Sequence, residues 1–158
     1  MRGFKFVSRE QLNKDVQKEI NFNSIIPKRG TKESAGYDFY APFNITIAPK
    51  EEIKIPTGIR AYMNKGEMLL LFPRSSLGFK YYCRLANTVG VIDSDYYNSD
   101  NEGHIWVKLR NEGDKAMFIK SGEGICQGVF IPFLLTDNDS FNVGNVRNGG
   151  IGSTSQLT

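Results

Sequence analysis

The sequence predicts an all-β domain, an antiparallel sandwich or barrel with one N-terminal helix before it and a Gly-rich tail after it. Short apolar segments recur between Gly, Asn and Pro turns from about residue 23 to Phe133, and no helical periodicity long enough for a crossover interrupts them. After Asp137 apolar residues thin out and Asn, Gly and Ser dominate. No internal repeat or linker divides the chain, so residues 1–158 read as one domain: a helical extension over 1–22, a β core over 23–136 and an arm over 137–158.

The helix is predicted from Ser8, a residue that caps, with Gln11 three positions on as in a capping box. Leu12, Val16 and Ile20 recur at i, i+4, i+8 and share one face. Ile45-Thr46-Ile47 and Ile53-Lys54-Ile55 then alternate as half-buried strands do. Met68 to Phe72 is a continuous apolar run suited to a strand buried on both faces. Ile105 to Leu109, Ala116 to Ile119 and Cys126 to Leu135 complete the strands. Pro49-Lys50, Pro56-Thr57-Gly58, Asn64-Lys65-Gly66, Asn111 to Asp114 and Lys120 to Gly124 supply turns. Gly149-Gly150-Ile151-Gly152-Ser153-Thr154 cannot pack a core alone, and composition predicts a disordered tail there.

Charge and composition exclude several function classes. Twenty Lys+Arg against seventeen Asp+Glu leave +3, mixed along the chain, too mild for a nucleic-acid coat, so no direct nucleic-acid partner is expected. No apolar run approaches the ~20 residues of a membrane span. No basic-then-apolar leader opens the sequence, and the expected setting is the cytoplasm without a membrane partner. Cys83 and Cys126 stand apart with no CxxC or Cys/His cluster, which argues against a disulfide scaffold or a structural zinc.

Single motifs are unspecific. The phosphate loops of the Walker and GxGxxG types are missing, as is a GxSxG elbow. His104, the one histidine, reads as a surface or strand-edge residue, and a Ser-His-Asp hydrolase would have to rest on it. Pro73-Arg74-Ser75-Ser76-Leu77-Gly78 offers a guanidinium fork and two hydroxyls suited to phosphate, or else an ordinary polar turn. In Gly90-Val91-Ile92-Asp93-Ser94-Asp95-Tyr96, Asp93 and Asp95 share a face if the strand continues, as a metal pair or general base would; otherwise they sit in a turn.

The combination is specific. Ala35-Gly36-Tyr37-Asp38-Phe39-Tyr40-Ala41 precedes those two segments, and Gly124-Ile125-Cys126-Gln127-Gly128-Val129-Phe130 and Gly149 to Thr154 follow them. In this order and spacing the set resembles the five motifs of the trimeric dUTPase family, over nearly the whole chain after the helix. The resemblance implies a β jelly-roll, a homotrimer with active sites at subunit interfaces, and hydrolysis of dUTP to dUMP and pyrophosphate. Asp93 matches the carboxylate that activates the attacking water, and Tyr96 the ring that leaves no room for a 2′-hydroxyl. Asn87 and the backbone of Gly90, Val91 and Ile92 match the uracil reader. Arg74, Ser75 and Ser76 match the phosphate grip, and Gln127 the glutamine near the α-phosphate. Asp38 matches an acidic residue that acts on Mg²⁺ through water, the triphosphate supplying the direct ligands. The tail becomes a lid, in which Arg147, Ile151, Gly152, Ser153 and Thr154 contact a nucleotide at a neighbouring interface. If the gene is phage-borne, a regulatory protein partner is also implied.

The chain departs from the family pattern in places. Ile151 stands where a Phe usually stacks on uracil, Arg147 lies four residues before it rather than five, and Ser155 replaces a Gly. Between Tyr96 and Gly103 the chain is longer than the usual Tyr-x-Gly, either by an insertion or with Asn98 in place of the Gly. The nearest rival is dCTP deaminase, which shares the fold and an Arg-Ser-Ser motif. Lys108 stands where that enzyme has its catalytic glutamate, and a lysine cannot shuttle the proton as a carboxylate does. A purely regulatory nucleotide-binding protein is the rival from another class.

Overall fold

The computed structural model describes residues 1–16, 22–139 and 149–150. The chain begins with a strand, β1 (Gly3–Phe6), before the helix α1 (Arg9–Asp15). Ser8 caps that helix as expected, its Oγ accepting from the Gln11 N–H at 3.0 Å. The helix is shorter than the apolar spacing predicts: it stops at Asp15, Gln11 is the residue it buries, and Ile20 lies outside the described residues. The extension is therefore part strand, not wholly helical, because Gly3–Phe6 finds an open edge on which to pair.

Four short strands follow: β2 (Lys28–Arg29), β3 (Tyr37–Tyr40), β4 (Ile45–Ile47) and β5 (Glu52–Pro56). After them come β6 (Ile59–Tyr62), β7 (Glu67–Pro73), a second helix α2 (Ser75–Tyr81), β8 (Cys83–Leu85) and β9 (Gly90–Asp93). A 3₁₀ turn over Ser94–Asn98 leads to β10 (Trp106–Asn111), β11 (Met117–Ile119) and β12 (Gly124–Pro132). The helix α2 was not legible as one: Gly78 interrupts it and no side chain caps its start. Its C-cap, Tyr82, is left-handed at φ 54°.

Every pairing is antiparallel. A five-stranded sheet runs β2-β3-β12-β7-β9, a three-stranded one β5-β10-β8, and β1-β6 and β11-β4 pair separately, among the described residues. One core joins all four: Phe39, Ile47, Ile55, Ile59, Leu69, Leu109, Met117 and Ile125 are almost wholly excluded from water. The sheet content and topology agree with the all-β jelly-roll class. Alternation holds where it was read, with Ile45 and Ile47 buried and Thr46 exposed. In β7 Leu69 and Leu71 enter the core, whereas Met68, Leu70 and Phe72 are only half-buried. The apolar run thus has one fully covered face and one that the described residues cover only in part. No helix among the described residues is long and apolar enough to cross a membrane.

Candidate active site

The hairpin from β8 to β9 forms one half of the site. Its turn closes through Thr88 N–H to the Leu85 carbonyl at 3.0 Å, with Thr88 left-handed at φ 68°, and presents the exposed Asn87. Beside it lies a cavity of about 180 Å³ lined by Asn87, Gly90, Val91, Ile92, Asp93 and Tyr96. Those are six of the residues that the sequence singled out. Gly150 of the Gly-rich segment and Lys108 also line it, and the rest of its wall comes from Leu71, Leu85 and Ile105 to Val107, which no motif includes. Trp106, the single tryptophan, is among them, with the Lys54 ammonium 4.3 Å from its ring centre. The Lys108 ammonium is paired with Glu52.

Tyr96 is 6% exposed and fixed at both ends. Its hydroxyl donates to the His104 carbonyl at 2.8 Å and accepts from Asn101 Nδ2 at 2.8 Å. Ser99 Oγ donates to the Tyr96 carbonyl. Gly150 lies against the ring, where a β-carbon would come within 2.6 Å. The strand β9 ends at Asp93, so Asp93 and Asp95 do not share a strand face; Asp95 sits exposed in the 3₁₀ turn. His104, read as a surface or strand-edge residue, lies two positions before β10 and is fully buried. Burial pushes its pKa below the ordinary imidazole value, a shift that Asp15 opposes. Both cysteines are free and buried, and burial pushes the Cys83 thiol up to about 11 and that of Cys126 higher.

The second half is polar and wider, a cavity of about 590 Å³ at the end of β7. Asp38, Arg74 and Ser76 line it, together with Lys80 and Glu123, which the motifs did not flag. Arg74 Nε lies 3.4 Å from Asp38 Oδ1. Gly124 makes room for the guanidinium: a β-carbon there would stand 2.0 Å from Arg74 Nη1. Gly36 does the same for Gln127, whose Nε2 donates to the Pro73 carbonyl at 3.3 Å. Ser75 is exposed on the first turn of α2 and does not line the cavity. Arg147, Ile151, Gly152, Ser153 and Thr154 lie outside the described residues. No cluster of three or more His, Cys, Asp or Glu able to hold a metal occurs among the described residues.

Register shows how the halves relate. Asp38 pairs with Gln127 and Gln127 with Phe72; Val129 pairs with Leu70 and Leu70 with Val91; Ile131 pairs with Met68 and Met68 with Asp93. Paired residues share a face, so Asp38, Gln127 and Asp93 all lie on the sheet face that the core leaves open. Gln127 and Asp93 are four residues apart along β7 and two strands apart across it. At ~3.3 Å per residue and ~4.8 Å per strand they are roughly 16 Å from one another.

The sequence model of the dUTPase family matches residues 23–155. The chain belongs to the dUTPase family. It is 49% identical over 140 residues to the deoxyuridine 5′-triphosphate nucleotidohydrolase of Lactococcus lactis subsp. lactis, covering 88% of this chain and 93% of that one. The dUTPase of Streptococcus mutans superposes with a TM-score of 0.69 at 42% identity, over 85% of this chain and 98% of its own. The dUTPase of Staphylococcus bacteriophage 80alpha, 20% identical with a TM-score of 0.66 over 87% and 93%, shares the fold. The family region thus starts after α1 and includes both cavities.

Proposed function

We propose that this dUTPase-family chain hydrolyses dUTP to dUMP and pyrophosphate, with Asp93 as the general base. The observation that carries it is the cavity in which Asn87, Gly90–Ile92, Asp93 and Tyr96 converge. Backbone groups of the β9 hairpin and Asn87 offer fixed donors and acceptors to a pyrimidine, while the Tyr96 ring forms a wall against which deoxyribose fits and a 2′-hydroxyl does not. Asp93, at the strand's end, takes a proton from water as the water oxygen bonds to the α-phosphorus. The bond from that phosphorus to the bridging oxygen breaks, and pyrophosphate leaves. Arg74, Ser75 and Ser76 neutralise charge on the phosphate chain, and Gln127 donates near the α-phosphate. Arg147, Ile151, Gly152, Ser153 and Thr154 close the site from the arm.

Asp38 suits Mg²⁺. A carboxylate beside Arg74, in a polar cavity that Glu123 also lines, fits an ion that keeps its waters and takes its direct ligands from phosphate. When bound, that ion withdraws charge from the phosphate oxygens.

The ~16 Å between Gln127 and Asp93 supports a shared site. One α-phosphate cannot touch both in a single chain, so the reading assigns Asp93 and Gln127 of each site to different subunits of a homotrimer. The half-buried face of β7 and exposed Phe118, Leu134 and Leu135 supply apolar surface for that assembly. Two buried free thiols suit the cytoplasm as its working compartment.

The test is pyrophosphate release from dUTP, UTP, dCTP and dTTP with Mg²⁺, repeated with EDTA. Release from dUTP alone, abolished by the chelator, is expected. Conversion of dCTP to dUTP would replace this reading with deamination, and tight dUTP binding without release would replace it with a nucleotide sensor.

A further inference from the structure

The segment before residue 23 lies outside the family region, and so far it has no part in the site. The structure ties it to the loop after Tyr96, another place where the chain departs from the family pattern. The strand β1 pairs along β6 from Gly3 opposite Tyr62 to Phe6 opposite Ile59, and Val7 N–H donates to the Gly58 carbonyl at 3.0 Å. At the start of α1, Ser8 donates to the Glu102 carboxylate through both its N–H, at 2.8 Å, and its Oγ, at 2.6 Å. At the other end, Asp15 Oδ2 lies 2.5 Å from His104 Nδ1 and also accepts from Gln11 Nε2 at 2.8 Å.

The His104 contacts determine its tautomer. Nε2 lies 2.8 Å from the Gly58 N–H and must be the bare nitrogen that accepts it, so Nδ1 carries the proton and donates to Asp15. Without Asp15 a fully buried Nδ1–H has no partner, and the alternative tautomer would set two N–H groups against each other at Gly58. The same residue's carbonyl accepts the Tyr96 hydroxyl, and Asn101, three residues earlier, donates to that hydroxyl. Gly103 packs on the Tyr96 carbonyl, with a left-handed φ of 68° and only 2.6 Å available to a β-carbon. Movement of His104 is thus passed to both ends of Tyr96.

We propose that Asp15 is a positioning residue for substrate choice: through His104 it holds the Tyr96 ring at the angle that excludes a 2′-hydroxyl. The inference rests on the reading of Tyr96 as the sugar-facing wall. Asp15 touches no substrate. It acts from outside the family region on the one ring that reads the sugar, which gives the N-terminal helix a task in specificity.

The experiment compares kcat/KM for dUTP and UTP in the full-length protein and in Asp15→Ala, Asp15→Asn and Tyr96→Ala. Asp15→Ala is expected to lower the dUTP-to-UTP ratio by about tenfold or more, as small misplacements at a reacting centre do. Asp15→Asn retains an oxygen that accepts from Nδ1–H and is expected to restore the ratio to within about twofold of wild type. A purely structural role would lower the melting temperature without this rescue of the ratio. Glu102→Ala severs the second contact at a partly exposed carboxylate and keeps the test alive if Asp15→Ala does not fold. Its ratio must also fall, by a smaller factor, and a wild-type ratio there would overturn the proposal. So would a wild-type ratio in Asp15→Ala when Tyr96→Ala has collapsed it. A wild-type ratio in Tyr96→Ala would instead remove the sugar-wall reading itself.

Discussion

The two halves of the site, one proposed for the nucleoside and one for the phosphate chain, are built differently. The nucleoside half is a cavity of about 180 Å³ whose shape comes from backbone, a hairpin turn and apolar walls already committed to the core, such as Leu71, Leu85 and Ile105. The phosphate half is about 590 Å³ and is furnished by side chains at the rim: Arg74, Asp38, Lys80 and Glu123. A base is recognised by fixed shape and fixed hydrogen-bonding groups, so its reader belongs in rigid β structure. A phosphate chain and its counter-ion need charge that can adjust, and long side chains over glycines provide it.

Asp93→Asn would break the nucleoside half's chemistry without its shape. Turnover should fall by about a thousandfold while dUTP still binds, which Trp106 fluorescence would follow because that ring lines the cavity. Wild-type turnover would move the base elsewhere. The distance between the halves is sharpened by mixing subunits. Asp93→Asn and Gln127→Ala, each inactive alone, should recover about a quarter of wild-type activity when co-assembled in equal amounts, since a site with both groups intact then forms by chance in one case of four. No recovery would return Asp93 and Gln127 to one chain's site.

Arg74→Ala should cost kcat/KM by roughly 10- to 100-fold, the worth of a charge-assisted contact, with melting temperature little changed because the guanidinium is about a third exposed. The same substitution at two glycines then contrasts the halves. In Gly124→Ala the new methyl displaces the end of a flexible side chain, so activity should fall by about tenfold with a small change in stability. In Gly90→Ala it presses on Leu71, a buried core residue 3.1 Å away, and stability should fall by about 1 kcal/mol. Equal effects at the two sites would erase the distinction.

The smallest effect concerns pH. His104 is lowered from 6.5 in the folded protein, chiefly by burial, so the unfolded chain binds the proton more readily. Its contribution is fully present above pH 6.5 and is lost as pH falls through the folded value. The melting temperature should therefore decline below about pH 6.5, and His104→Asn should flatten that decline.

Some of this architecture was legible because it depends on local rules. The Ser8 cap forms where a hydroxyl precedes a helix, and Ile45-Thr46-Ile47 alternates because successive side chains point to opposite faces. The motif order singled out Asp93, Tyr96 and Asn87 by resemblance, and the structure sets them along one cavity. Other features escaped because they answer to distant partners. α2 is a helix of two turns with Gly78 at its centre, too short to be stable without what it packs against. Gly3–Phe6 became a strand because β6 left it an edge, far along the chain, with Phe6 opposite Ile59 and Gly3 opposite Tyr62.

By itself the sequence determined the strand alternation, the helix cap, the chemical inventory of the site and, through its ordered motifs, the family. Those are encoded by residue type and short spacing, where sterics and local hydrogen bonding act. Only the tertiary structure decided that His104 is buried against Asp15, that the outer face of β7 is left half-buried, and that Asp93 and Gln127 stand four residues along and two strands across from one another. Each depends on which strand pairs with which and in what register, and that choice is made by burying one core across the whole chain.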